Sequence, residues 1–143
     1  MVAISVITPT FNTPTSVLAR TFASIKIQTH RDWEWIIWDD STDDRVWNQV
    51  YGFMSDERYK IRLYRSATHS GVIGAVKRRG FMAAEGDILV ELDHDDVLTP
   101  EALEKIAATK ADFVFSDWTE ILPGGLSGFY PDGWGFGHGK TYW

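Results

Sequence analysis

Residues 86 to 103, GDILVELDHDDVLTPEAL, join an apolar run to a cluster of acidic side chains. The segment 87–93 is short and rich in aliphatic residues, which predicts a buried strand. Thr99 and Pro100 follow the cluster as an N-cap and a first helical residue, so a helix is predicted to begin there. This stretch therefore predicts a strand, an acidic turn and a helix in that order.

Strand and helix patterns alternate along most of the chain. Short β-branched or aromatic runs predict five strands, at residues 3–9, 33–39, 60–65, 87–93 and 112–118. Apolar residues at helical spacing predict the helices between them, at 14–29, about 46–53, 73–83 and from 99 onward. This order predicts an α/β fold with a mostly parallel sheet and helices on both faces. Right-handed crossovers would place the carboxyl end of every strand on one edge, where such sheets bind ligands.

Composition narrows the classes of protein to consider. The chain has 143 residues, of which 44% are hydrophobic, enough to bury one core. Its formal net charge of -6 argues against a nucleic-acid partner, which would need a basic face. It has no cysteine, which excludes disulfides and thiolate zinc sites. We see no signal peptide and no membrane span, so we expect a cytoplasmic location.

The end of the chain differs from the rest. Residues 121–143 hold seven of the twelve glycines and six aromatic side chains, without a clean period. We therefore expect a folded domain over residues 1–120, followed by a Gly- and aromatic-rich tail or loop over residues 121–143.

The acidic cluster has two interpretations. In a strand, Asp93 and Asp95 would face the same way and His94 the other way. Two carboxylates on one side suit a hard cation such as Mg²⁺ or Mn²⁺, which would also relieve the repulsion from Glu91 and Asp96. Alternatively, the aspartates only favour the turn before the next helix, whose dipole attracts negative charge.

Two further groups also allow two interpretations each. Asp39 and Asp40 end a predicted strand, and either could accept a hydrogen bond from a base or a ribose, or simply form a turn. The cations Lys77, Arg78 and Arg79 lie on a predicted helix near the same edge. They could contact a phosphate or remain a solvated helix face.

Taken together, the sequence resembles the nucleotide-binding part of a family 2 glycosyltransferase with the Rossmann-like GT-A fold. The resemblance covers roughly residues 3 to 118. Four segments carry it in the family's order: ISVITPTFN (4–12), WIIWDDSTDD (35–44), SGVIGAVKRRGFMAAEGD (70–87) and ILVELDHDDVLTPEAL (88–103). The last contains the family's metal-binding Asp-x-Asp pattern. The chain departs from the family where Ser41 follows the aspartate pair and where Lys77 and Arg78 replace an Arg-Asn pair.

The resemblance implies roles for residues of the first two segments. Pro9, Thr10 and Asn12 would flank the nucleotide. Asp40 would hydrogen-bond the base, with Asp39 as the alternative.

It also implies roles around the acidic cluster. Asp93 would hold the ribose or assist the metal. Asp95 would bind Mn²⁺ or Mg²⁺ and through it the diphosphate, with Asp96 as the fallback ligand. Lys77 would lie near the phosphates, and His138 would be a third metal ligand.

The acceptor side is less defined by the resemblance. Asp117, at a predicted strand end, is the candidate catalytic base, although it does not occupy the family's usual position. Glu120 and Asp132 are weaker candidates. Trp134 and Phe136 could stack on a sugar or cover the sheet edge.

The activity implied is metal-dependent transfer of a sugar from a nucleotide diphosphate of UDP, GDP or dTDP type to a hydroxyl acceptor such as a glycan, with inversion. The alternative is a truncated or minimal GT-A module that binds nucleotide and metal without efficient turnover. Self-association into a homo-oligomer is expected if a sheet edge is left uncovered.

Overall fold

A four-stranded parallel sheet lies at the centre of the first of two compact units, Met1–Ala107 and Ala108–Trp143. The structure is a computed structural model that describes residues 3–116, 118–122 and 124–130. The sheet consists of β1 (Ile4–Thr10), β2 (Trp33–Asp39), β3 (Lys60–Arg65) and β4 (Ile88–Glu91). Its strand order is β3-β2-β1-β4, with parallel pairing throughout.

Helices pack on both faces of this sheet, which confirms the predicted fold class. They are α1 (Thr15–Lys26), α2 (Arg45–Met54), α3 (Ile73–Met82) and α4 (Ala102–Ala108). Leu18 of α1 and Val46 of α2 join the apolar core together with Val6. On the other face, Gly80 of α3 packs against Ile7. Val6 and Ile7 are adjacent in β1, so their side chains point to opposite faces.

The register of the strands brings their carboxyl ends together. Thr10 pairs with Asp39, and Asp39 pairs in turn with Arg65. On the other side of β1, Ile7 pairs with Glu91, the last residue of β4. The four strand ends therefore form one edge, here called the carboxyl edge, as predicted.

β4 ends at Glu91, two residues before the predicted end of this strand. The backbone then turns, and the N–H of Asp96 donates to the carbonyl of Asp93 at 3.2 Å. The prediction that Asp93 and Asp95 lie on one face of a strand, with His94 on the other, is therefore wrong. A turn replaces the extended backbone on which that alternation depends.

α4 begins later than the sequence predicts. The carbonyl of Thr99 accepts the N–H of Ala102 at 3.1 Å. The carbonyl of Pro100 accepts the N–H of Thr29 at 2.9 Å, which ties Pro100 to the segment after α1. The helix therefore starts at Ala102 rather than at Pro100.

The second unit departs most from prediction. The strand expected at 112–118 is wrong for residues 112–116, which are not in a strand. Instead β5 (Trp118–Leu122) and β6 (Gly125–Tyr130) form an antiparallel hairpin. Phe113 is 81% exposed, so the apolar run that suggested a buried strand does not bury this side chain. Gly124, in the hairpin turn, has a φ of 108°, a conformation that favours glycine.

Across the described residues, we find no helix whose length and apolar character would let it span a bilayer.

Candidate nucleotide site

A cavity of about 400 Å³ opens at the carboxyl edge, within the first unit. Its polar lining comes from the ends of three neighbouring strands, through Thr10, Asp40 and Asp93. Pro9 and His94 also line it. Of the predicted nucleotide-binding residues, the structure therefore brings together Pro9, Thr10, Asp40 and Asp93.

The rest of the cavity lining is mainly apolar. It includes Phe11 together with Val72, Ile73 and Val76, at the start of α3. The ring of Phe11 stacks on that of His69, with centroids 4.8 Å apart and planes inclined by 23°. An apolar lining with a few convergent polar groups is typical of a site for a small organic ligand.

Asp39 lies below the cavity rather than in it. Its side chain is fully buried, and its Oδ1 accepts hydrogen bonds from the Thr10 hydroxyl and the Ser41 N–H, both at 3.1 Å. Its Oδ2 accepts no hydrogen bond within the described part of the chain, but Arg65 Nε lies 3.6 Å away. Asp39 therefore fastens the end of β2 to the end of β1.

Asp40 reaches the cavity and holds the loop that follows β3. Its carboxylate accepts the N–H of Ser70 at 3.0 and 3.1 Å and that of Gly71 at 3.3 Å. His69 Nδ1 lies 2.9 Å from its Oδ2. Burial by itself raises the pKa of Asp40, but the hydrogen bonds from Ser70, Ser66 and Gly71 outweigh it and lower that pKa. Gly71 accommodates the turn with a φ of 64°.

Asn12 joins two loops at the rim of the site and is not part of the cavity lining. Its backbone has a φ of 48°, a conformation that asparagine tolerates better than most residues. Its N–H donates to the Ser41 hydroxyl at 2.8 Å, and its side-chain oxygen accepts the N–H of Thr42 at 3.1 Å. Asn12 therefore holds the β1 loop against the β2 loop.

Residues 93–96, which follow β4 and include three aspartates, are here called the acidic loop. Lys77 of α3 compensates part of their charge, since its ammonium lies 3.0 Å from Asp93 Oδ1 and also pairs with Glu91. Burial opposes the charge of Lys77, but these two partners outweigh it and raise its pKa. Asp93 Oδ1 is buried and accepts no well-aligned hydrogen bond from the described residues. Lys77 therefore acts on it as a point charge.

The other two aspartates of the acidic loop are exposed and do not line the cavity. The pKa of Asp96 is raised, first by partial loss of solvent around its carboxyl group and then by the charges of Asp95 and Asp93. Asp95 itself is 65% exposed at its side chain. This loop therefore carries negative charge that Lys77 does not balance.

These carboxylates fit a hard divalent cation. Asp95 and Asp96 supply the uncompensated charge, whereas Oδ1 of Asp93 is buried and lies 3.0 Å from the Lys77 ammonium. In the described ranges, no three His, Asp or Glu side chains converge into a complete metal site. Mg²⁺ characteristically takes only one or two carboxylates, and completes its shell with water and phosphate oxygens.

The two histidines of the cavity lining were missed by sequence reasoning. His94, predicted to face away from Asp93, lines the cavity with it, and its Nδ1 is hydrogen-bonded to the hydroxyl of Thr13. His69 carries no sequence signal, because its position depends on how Asp40 folds the loop after β3. Asp117 and His138 lie outside the described residues, as do Asp132, Trp134 and Phe136. Glu120 is placed in β5.

A protein-family model, Glycosyl transferase family 2, matches residues 5–114 of this chain. The succinoglycan biosynthesis protein ExoW of Rhizobium meliloti is 26% identical over 132 residues, which are 91% of this chain and 41% of ExoW. The chain spans less than half the length of the curated relatives it matches.

Solved structures share this fold. S. aureus TarS 1-349 in complex with UDP-GlcNAc superposes with a TM-score of 0.65 at 26% identity, over 74% of this chain and 30% of that chain. The mannosyltransferase PcManGT from Pyrobaculum calidifontis, in complex with GDP-Man and Mn²⁺, superposes with a TM-score of 0.59 at 22% identity, over 67% and 28%. The second likeness shows the fold alone.

Proposed function

Because this chain belongs to glycosyl transferase family 2, we propose that it transfers a sugar from a nucleotide diphosphate to a hydroxyl acceptor. The observation that carries the proposal is the cavity at the carboxyl edge, lined by Thr10, Asp40 and Asp93 from three strand ends. This edge is where open α/β sheets bind ligands. The TarS structure with bound UDP-GlcNAc supports a nucleotide-sugar donor.

The nucleoside fits the cavity by its chemistry. A planar base would pack against the apolar lining at Phe11 and Val72. Asp40 would accept an N–H from the base through Oδ1, where the Ser70 N–H at 3.0 Å uses one of the two lone pairs of that oxygen. Asp40 lines the cavity and Asp39 does not, which favours Asp40 for this role.

The diphosphate end would lie toward the acidic loop. Asp93 would contact the ribose, and Asp95, with Asp93 or Asp96, would hold Mn²⁺ or Mg²⁺. When bound, the cation supplies positive charge that stabilises the leaving diphosphate. The Lys77 ammonium, 3.0 Å from Asp93 Oδ1, limits the negative charge that the nucleotide must meet.

In the transfer, the acceptor oxygen forms a bond to the anomeric carbon while the bond from that carbon to the diphosphate oxygen breaks. The hydroxyl proton passes to a carboxylate base, and attack from the opposite face inverts the configuration. Asp117 remains our candidate for the base. His138 remains the candidate for a third metal ligand.

Thermal unfolding tests the donor site directly. We would record Tm with UDP, GDP and dTDP, each with Mn²⁺ and with EDTA. Ligand at a hundredfold over its Kd adds about 2.7 kcal/mol to stability, which is roughly 3 to 6 °C for this chain length. We expect one nucleotide to give this shift with Mn²⁺, and the shift to be lost in Asp95→Asn.

The matched control is Asp32→Asn, which removes an exposed carboxylate at the opposite edge of the sheet. It should keep the shift. If no nucleotide raises Tm, whether with Mn²⁺ or with EDTA, the donor-site proposal is wrong.

A second candidate function has one observation in its favour. The two carboxylates that line the cavity are both engaged, Asp40 by Ser70 and Gly71 and Asp93 by Lys77. The described cavity therefore offers no unengaged carboxylate to act as base, which favours a module that binds nucleotide and metal without efficient turnover. Release of the nucleoside diphosphate from the nucleotide sugar that binds, measured over hours, would eliminate this alternative.

A further inference from the structure

Three buried polar side chains follow one another along the end of α1 and the segment just after it, at positions 21, 24 and 28. Thr21 and Gln28 are fully buried and Ser24 is 6% exposed. Thr21 and Ser24, three residues apart, lie on one face of α1, and Gln28 lies two residues after the helix ends. These three side chains, here called the α1 polar seam, contact the segment that joins β4 to α4.

Thr21 contacts the acidic loop itself. Its hydroxyl lies 2.9 Å from the carbonyl oxygen of His94 and 2.8 Å from that of Asp96. One hydroxyl proton is therefore shared between two carbonyls. These carbonyls belong to the residues on either side of Asp95, so Thr21 fixes the peptide group before Asp95 and the carbonyl just after it.

The rest of the seam holds the chain beyond the acidic loop. The N–H of Leu98 donates to the Ser24 hydroxyl at 3.2 Å. Gln28 donates through Nε2 to the carbonyl of Thr99 at 2.8 Å, and its Oε1 accepts the N–H of Leu103 at 3.0 Å. The far end of the segment is therefore held by bonds that do not involve Thr21.

We propose that Thr21 is a positioning residue for Asp95. This inference rests on the proposed function, in which Asp95 holds the divalent cation of the donor complex. Asp95 is exposed, and the backbone on both sides of it is held by the Thr21 hydroxyl. Without that hydroxyl, two carbonyls beside the core lose their donor, and the backbone that carries the Asp95 carboxylate loses this anchor. Removing a group that orients a metal ligand typically costs about 10- to 100-fold in metal affinity.

The test compares nucleotide binding with and without metal. Calorimetry would give the Kd of UDP, GDP and dTDP in Mn²⁺ and in EDTA, for the wild-type chain and for Thr21→Val. Valine keeps the shape of threonine and removes only the hydroxyl. We expect the Kd in Mn²⁺ to rise about 10- to 100-fold, with the Kd in EDTA unchanged. Thr21→Ser, which keeps the hydroxyl, should bind as the wild type does.

Thr8→Val is the matched control. Thr8 is also fully buried, and its hydroxyl accepts the indole N–H of Trp35 at 2.9 Å, on the core side of β1. This variant should lose thermal stability as Thr21→Val does, while the ratio of its two Kd values stays that of the wild type. Thr21→Ala removes the same hydroxyl and replaces Thr21→Val if the latter does not fold.

The outcomes separate the two proposals. Suppose that the wild-type chain binds a nucleotide with Mn²⁺, and that the ratio of the Kd in EDTA to the Kd in Mn²⁺ is the same in Thr21→Val. That result overturns the inference and leaves the proposed function standing. An equal loss of affinity in Mn²⁺ and in EDTA also overturns it, because the hydroxyl would then only support the fold. A wild-type chain that binds no nucleotide overturns the proposed function and the inference together.

Discussion

Glu34 is ionised although it lies within the sheet. Its side chain is 4% exposed, and its oxygens accept the Ser5 hydroxyl at 2.7 Å and the Glu85 N–H at 2.9 Å. Lys60 and Arg62 each approach it to 3.2 Å. Burial raises the pKa of Glu34, but these hydrogen bonds and ion pairs lower it from 4.5 to about 2. Glu34 therefore joins β1, β2, β3 and the turn before β4 through one charge.

This depressed pKa predicts a pH dependence of stability. A carboxyl group whose folded pKa lies below its unfolded pKa stabilises the fold above the unfolded value, and that stability is lost as pH falls through the folded value. For Glu34 the loss runs from about pH 4.5 down to about pH 2, and amounts to about 3 kcal/mol. We expect the free energy of unfolding of Glu34→Gln in urea to fall less steeply over this range than that of the wild type.

Glu57→Gln removes an exposed carboxylate and is the control for the change in net charge. Its pH profile should run parallel to that of the wild type. If the free energy of unfolding fell equally steeply with pH in the wild type and in Glu34→Gln, protonation of Glu34 would not be what destabilises the chain in acid.

Single residues of the site were only partly predictable. The sequence placed Asp39 and Asp40 at the carboxyl edge, because a β-branched and aromatic run ends there. Which of the two enters the cavity depends on their hydrogen-bond partners, Thr10 for Asp39 and Ser70 for Asp40. Both partners are distant in sequence, so the local pattern does not distinguish the two aspartates. The role of Thr21 also could not be predicted, because its partners are distant in sequence and a polar residue on a helix normally suggests a solvent-facing position.

At the scale of elements, a glycine sets the distance between α3 and the sheet. A Cβ atom on Gly80 would lie 2.6 Å from Cγ2 of Ile7, which is fully buried in β1. α3 therefore packs on β1 at a distance that a larger residue would not allow. The start of the same helix lines the cavity through Ile73 and Val76, so the position of α3 also shapes the candidate site.

Gly80→Ala should therefore destabilise the chain, although alanine is the better helix former. Overpacking a core typically costs about 1 to 3 kcal/mol, which exceeds the gain of about 1 kcal/mol from replacing a helical glycine. Gly74 is the matched control in the same helix, because a Cβ atom there has no neighbour within 4 Å. Gly74→Ala should raise the free energy of unfolding in urea, and equal values for the two variants would contradict this account of α3.

Elements were predictable where local pattern and neighbours agree. β2 and β3 match their predicted bounds, 33–39 and 60–65, because β-branched or aromatic residues are bounded by turn formers. The strand predicted at 112–118 failed because an apolar run does not show whether a strand edge is available to pair with it. β4 ended early because the backbone turns at the acidic loop, where the N–H of Asp96 donates to the carbonyl of Asp93. The hydroxyl of Thr21, more than seventy positions away, also bonds two carbonyls of this turn.

At the scale of the whole molecule, the second compact unit begins with a segment that is mostly without regular structure. Residues 109–116 belong to no helix or strand, and Phe113 within them is 81% exposed. Phe11, at 47%, is another exposed phenylalanine outside regular structure, but the residue after it is held by hydrogen bonds to Ser41 and Thr42. Proteases cut where the backbone can leave its contacts and adopt an extended form.

Limited digestion with chymotrypsin should therefore cut after Phe113 before it cuts after Phe11. Mass spectrometry of the fragments over time gives the ratio of the two cleavages directly. Phe113→Ala combined with Phe115→Ala removes both exposed phenylalanines of this segment and should slow the loss of intact chain. Adding the nucleotide that raises Tm should protect Phe11 further, because that ring lines the cavity, and should leave cleavage at Phe113 unchanged. Cleavage after Phe11 as the first event would show that the β1 loop opens more readily than residues 109–116, and would contradict this account of the two segments.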